Sequence, residues 1–282
     1  MKHKIIAPGL RLIIGFALLI LIGSIILNLP ISHNSTKVFG YVDYLFVSCS
    51  AVCVTGLTPM DISLSLSIFG KIILAILIQM GGLGFASFAI FFLLILGKQI
   101  SQQDRTLIRT SLNSNSHSGL VTLVKTVLTF AFIIETIGTI LTYIAINKDY
   151  NTVDAIGISI FQSISAFNNA GFDLFGNFSS LTSYSTNNLM LLTTALLIIL
   201  GGLGFFVITD ILKSRHWRKF KNHTKIVLFM TCFLLIFGTI GIYLTEGNIS
   251  FLSAFFQSTT SRTAGFNSID TKSLTEPGLM LV

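Results

Sequence analysis

The sequence predicts an all-α membrane protein built from tandem repeats, and three observations carry this prediction. Of the 282 residues, 52% are hydrophobic and only 10% are charged, and the mean hydropathy is +0.82. This composition leaves too little polar surface for an ordinary soluble domain. Three similar short phrases also recur between long apolar segments. We therefore expect each repeat to contain a helix, a re-entrant loop and a second helix.

Five apolar segments are long enough to cross the hydrocarbon core of a bilayer, which needs about 20 helical residues. They cover residues 12–29, 72–96, 126–146, 189–212 and 226–244. We interpret the first as a mature helix and not as a signal peptide, because Asn28, Leu29 and Pro30 form a poor cleavage site. The chain is thus expected to be a multi-pass protein.

The basic residues orient these segments, because Lys and Arg resist translocation and collect on the cytoplasmic side. Thirteen of the 18 fall in three segments, Lys2, Lys4 and Arg11; Lys98, Arg105, Arg109 and Lys125; and Lys213, Arg215, Arg218, Lys219, Lys221 and Lys225. The N-terminus is therefore predicted to be cytoplasmic, in the plasma (inner) membrane. The loops between these segments are mainly acidic and should attract cations to the outer face. We see no aromatic and basic interleaving that would indicate nucleic-acid binding.

The three recurring phrases cover residues 46–57, 161–172 and 255–266, and each has a Phe ten residues before a Gly. Each phrase is too short to span the bilayer and falls on the outer side, which predicts a re-entrant pore loop. We expect short helices at about 44–52, 155–167 and 251–261. Their C-terminal ends should point inward, where partial negative charge favours a cation.

The glycines of these phrases, Gly56, Gly171 and Gly265, are predicted to form an ion filter. Backbone carbonyls can replace the water around a monovalent cation, and glycine tolerates the unusual backbone angles that this requires. Small or polar residues precede the glycines: Val54 and Thr55, Asn169 and Ala170, and Thr263 and Ala264. No carboxylate directly precedes a glycine, which favours monovalent over divalent ions and K⁺ over Na⁺. We expect K⁺ to bind through carbonyls alone, with no transition-metal site and no cofactor.

The repeats are expected to be arranged as in a K⁺ channel, with two complete and a third partial. The predicted bounds are 1–110, 111–222 and 223–282, and the third repeat is expected to stop at the first turn of its inner helix, near 279–282. A fourth repeat is expected to be absent. Whether the chain is a fragment or a natural truncation stays open.

Three polar residues near the membrane-embedded parts need separate interpretation. Glu135 lies midway through a span, where it either makes a buried hydrogen bond to a neighbouring helix or binds a coupling ion. Arg262 precedes Gly265 by three residues and is predicted to support the filter from behind, the alternative being a solvated outer-loop charge. Asp210 lies near the cytoplasmic end of a span, within reach of Lys213, and we expect these two to form an interfacial pair.

Two glycine-rich phrases, 81–85 and 201–205, lie inside predicted spans. They lack the strand, turn and helix context of a nucleotide-binding turn. We interpret them as sites where inner helices pack closely or bend.

Several strings resemble the Trk/Ktr/HKT superfamily of potassium transporters, most closely its Ktr-type membrane subunit. They are SAVCVTGLT, QMGGLGFASFAIFFLLILGKQIS, SAFNNAGFD, IILGGLGFFVITDIL and SRTAGFN. The resemblance implies four fused repeats around one pore, a homodimer, and a cytoplasmic ring of nucleotide-binding regulatory subunits. It carries the family's filter glycines onto Gly56, Gly171 and Gly265, while the fourth glycine and the gating loop of the third inner helix have no counterpart.

The implied function is potassium uptake, with Na⁺ as an optional coupling ion. One alternative, a non-pore secondary transporter, predicts inverted repeats, and the repeats here are parallel. Another, a polytopic membrane enzyme, predicts a catalytic cluster; no such arrangement stands out, and we expect no enzyme. The basic loops 98–109 and 213–225 should face either a cytoplasmic regulator or anionic lipid.

Overall fold

A computed structural model describes residues 8–34, 39–84, 120–214, 216–247, 249–270 and 273–282. This part of the chain is mostly helical, and it contains no β-strand beyond an isolated bridge between His33 and Leu66. The prediction of a helical fold is confirmed.

The described residues form eleven α-helices, which we number in chain order. They are α1 (Pro8–Leu27), α2 (Tyr41–Val52), α3 (Ile62–Ser65), α4 (Ile68–Gly82), α5 (Leu120–Ile146), α6 (Thr152–Phe167), α7 (Asn188–Gly202), α8 (Phe205–Ser214), α9 (Asn222–Glu246), α10 (Phe251–Thr263) and α11 (Glu276–Leu281). Short 3₁₀ helices lie at Pro30–Ser32, Thr182–Tyr184 and Trp217–Lys219.

The helices pack in three successive groups. Helices α1, α2 and α4 contact one another, as do α5, α6 and α7, and α9 contacts both α10 and α11. The groups are joined in the same way each time, because α4 packs on α6 and α7 packs on α10. The last helix of one group therefore supports the short helix of the next. The repeat bounds 1–110, 111–222 and 223–282 stay a prediction.

Polar caps define where the third member of each group begins. Ser67, Asn187 and Thr275 precede α4, α7 and α11, and each side chain accepts a hydrogen bond from a backbone N–H three residues later. Such caps satisfy an N–H group that the first turn of a helix leaves without a partner. Helix α11 thus begins at Glu276, slightly before the first turn predicted near 279–282.

Two described helices are long and apolar enough to cross a membrane, Val124–Ile146 and Asn222–Glu246. The predicted span 189–212 is not one continuous helix, since α7 and α8 meet at an angle of 93° and count as a third span only when taken together. The interruption falls at Gly204, whose φ of +84° is incompatible with a right-handed helix. Gly84 has nearly the same φ, +82°, after α4. The remainder of the predicted span 72–96 lies outside the described residues.

The apolar and polar side chains are distributed as a lipid environment requires. On α5 the side chains of Ile133, Ile137, Ile140 and Ile144 are each about half exposed, a spacing that places them on one face of the helix. In the second half of α6 the polar side chains point inward, and Ser159, Gln162, Ser163 and Ser165 are at most 1% exposed. Apolar residues outside and polar residues inside suit a bilayer, which solvates hydrocarbon and offers no hydrogen bonds.

Candidate functional site

The first two glycine phrases share one backbone conformation. After α2 and α6 end, Val54 and Asn169 adopt left-handed backbone angles, with φ of 57° and 58°. The next amide then bonds back to the short helix, Thr55 N to Ser50 O at 2.9 Å and Ala170 N to Ser165 O at 2.8 Å. Non-glycine residues rarely occupy this region of φ. The equal geometry at both positions indicates that the phrases are structural equivalents as well as similar in sequence.

The third phrase differs. Helix α10 continues through Thr263, two residues beyond the predicted end at 261, because Ala264 N still donates to Thr260 O at 2.9 Å in the helical pattern. Thr263 is therefore helical, and the short helix ends two residues later than predicted. At the equivalent position in the other two phrases, Val54 and Asn169 have a positive φ, whereas Thr263 keeps helical backbone angles.

The three glycines come together. Gly56, Gly171 and Gly265 have φ of 75°, 74° and 79°, and all three line one cavity of about 160 Å³. A Cβ on Gly56 would overlap the carbonyl oxygen of Ala170, and a Cβ on Gly171 would overlap that of Ala264. Both the backbone angle and the close approach therefore require glycine at Gly56 and Gly171.

The residues before the glycines are held in different ways. Ala170 and Ala264 are buried, whereas Thr55 is exposed and donates a hydrogen bond from Oγ1 to Ser50 Oγ at 2.8 Å. Val54 is half-buried and packs against the core. The structure thus brings the backbones of the three phrases together, while Thr55 makes its side-chain hydrogen bond within its own phrase.

Asn169 and Thr263 link the second and third phrases. Their side chains meet at 3.1 Å. In the amide orientation that satisfies every neighbour, Asn169 Nδ2 donates to Thr263 Oγ1 and to Ile198 O, and Oδ1 accepts from Gly202 N. The end of α7 is therefore part of the same junction.

The cavity is also lined by two acidic residues. Asp61 and Asp173 both line it, and both carboxylates also accept backbone hydrogen bonds. Asp61 bonds to Leu64 N at 3.2 Å and to Phe178 N at 3.3 Å, and Asp173 bonds to Phe175 N at 3.1 Å. Burial raises the pKa of Asp173 to about 6, and the nearby charge of Asp61 adds to this rise. Two carboxylates beside the glycines would draw cations towards them.

The glycine-rich phrases at the ends of α4 and α7 lie against the short helices. A Cβ on Gly81 would overlap the carbonyl oxygen of Val52, and a Cβ on Gly201 would overlap that of Phe167. Gly82 lies equally close to the side chain of Asn168. The interpretation of these phrases as close helix packing is confirmed, and the bend after Gly202 bears out the second part of it.

Sequence reasoning missed three glycines in the long helices. Gly23, Gly138 and Gly238 lie so close to Ser48, Ser163 and Ser258 that a Cβ would contact each serine hydroxyl at 3.0 Å or less. These contacts let the long helix of each group approach its short helix. A signal was present, since Gly23 and Gly138 are 115 residues apart, as are Gly56 and Gly171.

Two polar predictions have different outcomes. Glu135 makes the expected hydrogen bond to a neighbouring helix, because Gln79 Nε2 donates to Glu135 Oε1 at 2.7 Å. The pairing of Asp210 with Lys213 is wrong. Asp210 instead accepts from Lys221 N at 2.9 Å and from Thr224 Oγ1 at 2.6 Å. The carboxylate thus satisfies a backbone N–H that the start of α9 leaves without a helical partner.

Arg262 lies in the last turn of α10, where it is exposed and has no polar partner among the described residues. Its role in supporting the filter stays a prediction. The described residues as a whole contain no group of three or more His, Cys, Asp or Glu residues that could hold a metal ion. The predicted binding of K⁺ by carbonyls alone is not tested by this finding.

The fold and the site define a class, a helical membrane protein in which short helices converge on a glycine-lined cavity. Residues 13–249 match the family described as TrkH, cation transport protein. The chain belongs to this family. The family is one of transport proteins and not of enzymes.

Two relatives carry names that are more specific. The chain is 38% identical over 291 residues to the Ktr system potassium uptake protein B of Bacillus subtilis, and 37% identical over 289 residues to the potassium/sodium uptake protein NtpJ of Enterococcus hirae. These alignments cover 98% and 99% of this chain but 64% of each relative. The chain therefore spans less than two thirds of the length of these curated relatives.

A solved structure has the same fold. The crystal structure of the potassium transporter TrkH from Vibrio parahaemolyticus matches 99% of this chain and 56% of its own, with a TM-score of 0.69. The sequence identity is 18%. At this identity the likeness shows the fold alone.

Proposed function

We propose that this chain takes part in potassium uptake across the plasma membrane, through a filter formed by its three glycine phrases. The observation that carries the proposal is the convergence of Gly56, Gly171 and Gly265 on one cavity, with φ values of 75°, 74° and 79°. The names of the two relatives support K⁺ as the ion. Each of the three glycines follows a short helix, which supports the pore-loop arrangement of a K⁺ channel that we propose.

In this proposal the carbonyls beside the glycines replace the hydration shell of K⁺. The filter residues are Val54, Thr55, Gly56, Asn169, Ala170, Gly171, Thr263, Ala264 and Gly265. The partial negative charge at the C-terminal ends of α2, α6 and α10 stabilises the dehydrated ion. Asp61 and Asp173 raise the local concentration of cations at the mouth.

The orientation follows from the charges. The acidic cavity faces outward, and the basic segments, including Lys213 to Lys225 and the N-terminus, face the cytoplasm. Na⁺ is proposed as a coupling ion, with support from the name of the potassium/sodium uptake relative. Measuring K⁺ uptake with and without external Na⁺ tests this point, and equal rates would contradict it.

The same proposal extends to partners. Relatives from Bacillus subtilis, proteins B and D, are named as parts of a Ktr system. We propose a homodimer that binds a cytoplasmic ring of nucleotide-binding regulatory subunits. Co-purification of such a subunit with the gene product supports this, and its absence from a purified complex that still transports K⁺ would contradict it.

The direct test of the filter is Gly56→Ser in cells that lack other potassium uptake. The side chain would overlap the carbonyl oxygen of Ala170 and strain a positive φ, so we expect K⁺ over Na⁺ selectivity to fall while the protein still reaches the membrane. Gly157→Ala on α6 is the matched control, because nothing lies within 4 Å of a Cβ there. Unchanged selectivity in Gly56→Ser would show that the filter is elsewhere.

A further inference from the structure

A buried polar cluster lies behind the second glycine phrase. It consists of Gln79 on α4, Glu135 on α5 and Asn168, which caps the end of α6. The three side chains are 7%, 6% and 7% exposed. Each comes from a different helix, so the cluster joins two successive helix groups.

The hydrogen bonds of the cluster converge on Asn168. Its Nδ2 donates to Gln79 Oε1 at 2.7 Å and lies 3.3 Å from Glu135 Oε1, and Gln79 Nε2 donates to the same Glu135 oxygen at 2.7 Å. Asn168 Nδ2 also lies 2.9 Å from Ile164 O, one turn earlier in its own helix. Glu135 therefore accepts from both amides, and the three groups form one closed network.

This geometry does not suit a bound cation. Two N–H donors point at Glu135 Oε1, and one points at Gln79 Oε1, so these oxygens face donors and not a common empty centre. A coupling ion such as Na⁺ needs several oxygens with free lone pairs around one point. The cluster is therefore built to hold side chains in place.

The second phrase is the one that the network holds. Asn168 precedes Gly171 by three residues, and the corresponding residues in the other phrases are Cys53 and Arg262. Both of these are exposed in the described part of the chain. The network thus fixes the middle phrase, which touches both of its neighbours.

The fixed phrase has little freedom to move. Ala170 O lies against Gly56, and Gly171 lies against Ala264 O, each closely enough to exclude a Cβ. A shift of Asn168 would be passed through Asn169 to these carbonyls. The positions of the carbonyls determine which ion exchanges its hydration water for carbonyl oxygens at the lowest free-energy cost. Such a shift would therefore change ion selectivity.

We propose that Glu135 is a positioning residue for ion selectivity, acting through Asn168 on the second phrase. This inference rests on the proposed function, since it assumes that the phrase is part of the filter. It assigns Glu135 the role of a hydrogen-bond acceptor whose negative charge is not required. Hydrogen-bonded side chains in a buried network hold one another in one arrangement, although Asn168 Oδ1 has no partner among the described residues.

The test compares Glu135→Leu with Glu135→Gln in the gene product, expressed in cells deficient in potassium uptake. Leucine removes the acceptor, leaves the buried donor Gln79 Nε2 without its partner and ends the contact of Asn168 with the carboxylate, so we expect the K⁺ over Na⁺ uptake ratio to fall about tenfold. Glutamine keeps an oxygen that can accept from both amides, so we expect a ratio within about twofold of the unsubstituted protein. Thr142→Val is the matched control, because this buried hydroxyl on α5 has no partner.

The double variant Glu135→Leu with Gln79→Leu keeps the inference testable if Glu135→Leu fails to reach the membrane. This variant replaces both partners of the bond between Gln79 and Glu135, so no Gln79 donor is left unpaired and we expect more protein than for Glu135→Leu. The ratio should stay low, because Asn168 has lost both of its side-chain partners. An unchanged ratio in the double variant, or a loss in Glu135→Gln as large as in Glu135→Leu, would overturn the positioning role. If the unsubstituted protein itself shows no preference for K⁺, the proposed function fails instead.

Discussion

The side chains of Asn169 and Thr263 meet at 3.1 Å, although 94 residues separate them in the chain. Each lies two residues before a glycine of the cavity, and the last turn of α7 closes the junction through Ile198 O and Gly202 N. This contact ties the second glycine phrase to the third. Loss of this contact should therefore change the geometry of the cavity.

The first prediction concerns this contact. Thr263→Val keeps the shape of the side chain but removes the hydroxyl that Asn169 binds, so we expect a loss of about 1 kcal/mol in the free energy of unfolding. We also expect a lower K⁺ over Na⁺ uptake ratio. Thermal unfolding in detergent and paired ion-uptake measurements check these effects. Thr260→Val, where a buried hydroxyl of the same helix has no partner, should change neither; an equal loss there would point to a general effect of valine in α10.

The second prediction concerns external pH. Burial raises the pKa of Asp173 to about 6, so its carboxylate is charged above that pH and neutral below it. Acidification from pH 7 to pH 5 should lower K⁺ uptake at low K⁺ concentration by roughly twofold to tenfold, because the mouth loses negative charge. Asp173→Asn should remove this step, while Asp154→Asn, an exposed change outside the cavity, should keep it. A step that persists in Asp173→Asn would exclude Asp173 as its source.

The third prediction concerns the end of α7. In Gly201→Ala the new methyl group would overlap the carbonyl oxygen of Phe167. Overpacking of this kind costs about 1–3 kcal/mol, so we expect less protein in the membrane and a lower temperature of unfolding. Gly157→Ala has free space and should be neutral or slightly stabilising. Equal stability of the two variants would show that α7 can move away from α6 at little cost.

The fourth prediction concerns Asp210. Its carboxylate binds Lys221 N and Thr224 Oγ1 at the start of α9. Asp210→Ala leaves both donors without this partner and should lower the free energy of unfolding by about 1–3 kcal/mol. Lys213→Ala should have little effect, because the lysine is exposed and is not bound to Asp210 in the described structure. Comparable losses in the two variants would restore the pairing that the sequence suggested.

Local patterns predicted much of this fold. Apolar runs and recurring phrases placed α5, α6 and α9 within a few residues, since hydropathy and repetition are properties of continuous segments. The convergence of Gly56, Gly171 and Gly265 was also predictable, because equivalent phrases occupy equivalent positions. The membership of a cation transport family agrees with the resemblance that these phrases carry.

The remaining features depend on contacts between distant segments. Averaged hydropathy does not register the φ of Gly204, so the bend in the predicted span 189–212 was not apparent. The hydrogen-bond partners of Glu135 come from α4 and the end of α6, and the sequence around Glu135 does not identify them. Thr263 stayed helical because one more backbone bond formed in α10, a difference too small for a motif to show.

The bend at Leu203 and Gly204 has an electrostatic consequence. A helix that ends at such a bend leaves carbonyl oxygens of its last turn without N–H donors further along the chain. The last turn of α7 lies beside Asn169 and Thr263, so these oxygens add partial negative charge next to the glycine phrases. In the proposed function, a cation near the cavity would meet these acceptors. If α7 and α8 were one straight helix, backbone N–H groups of that helix would bond to the same oxygens.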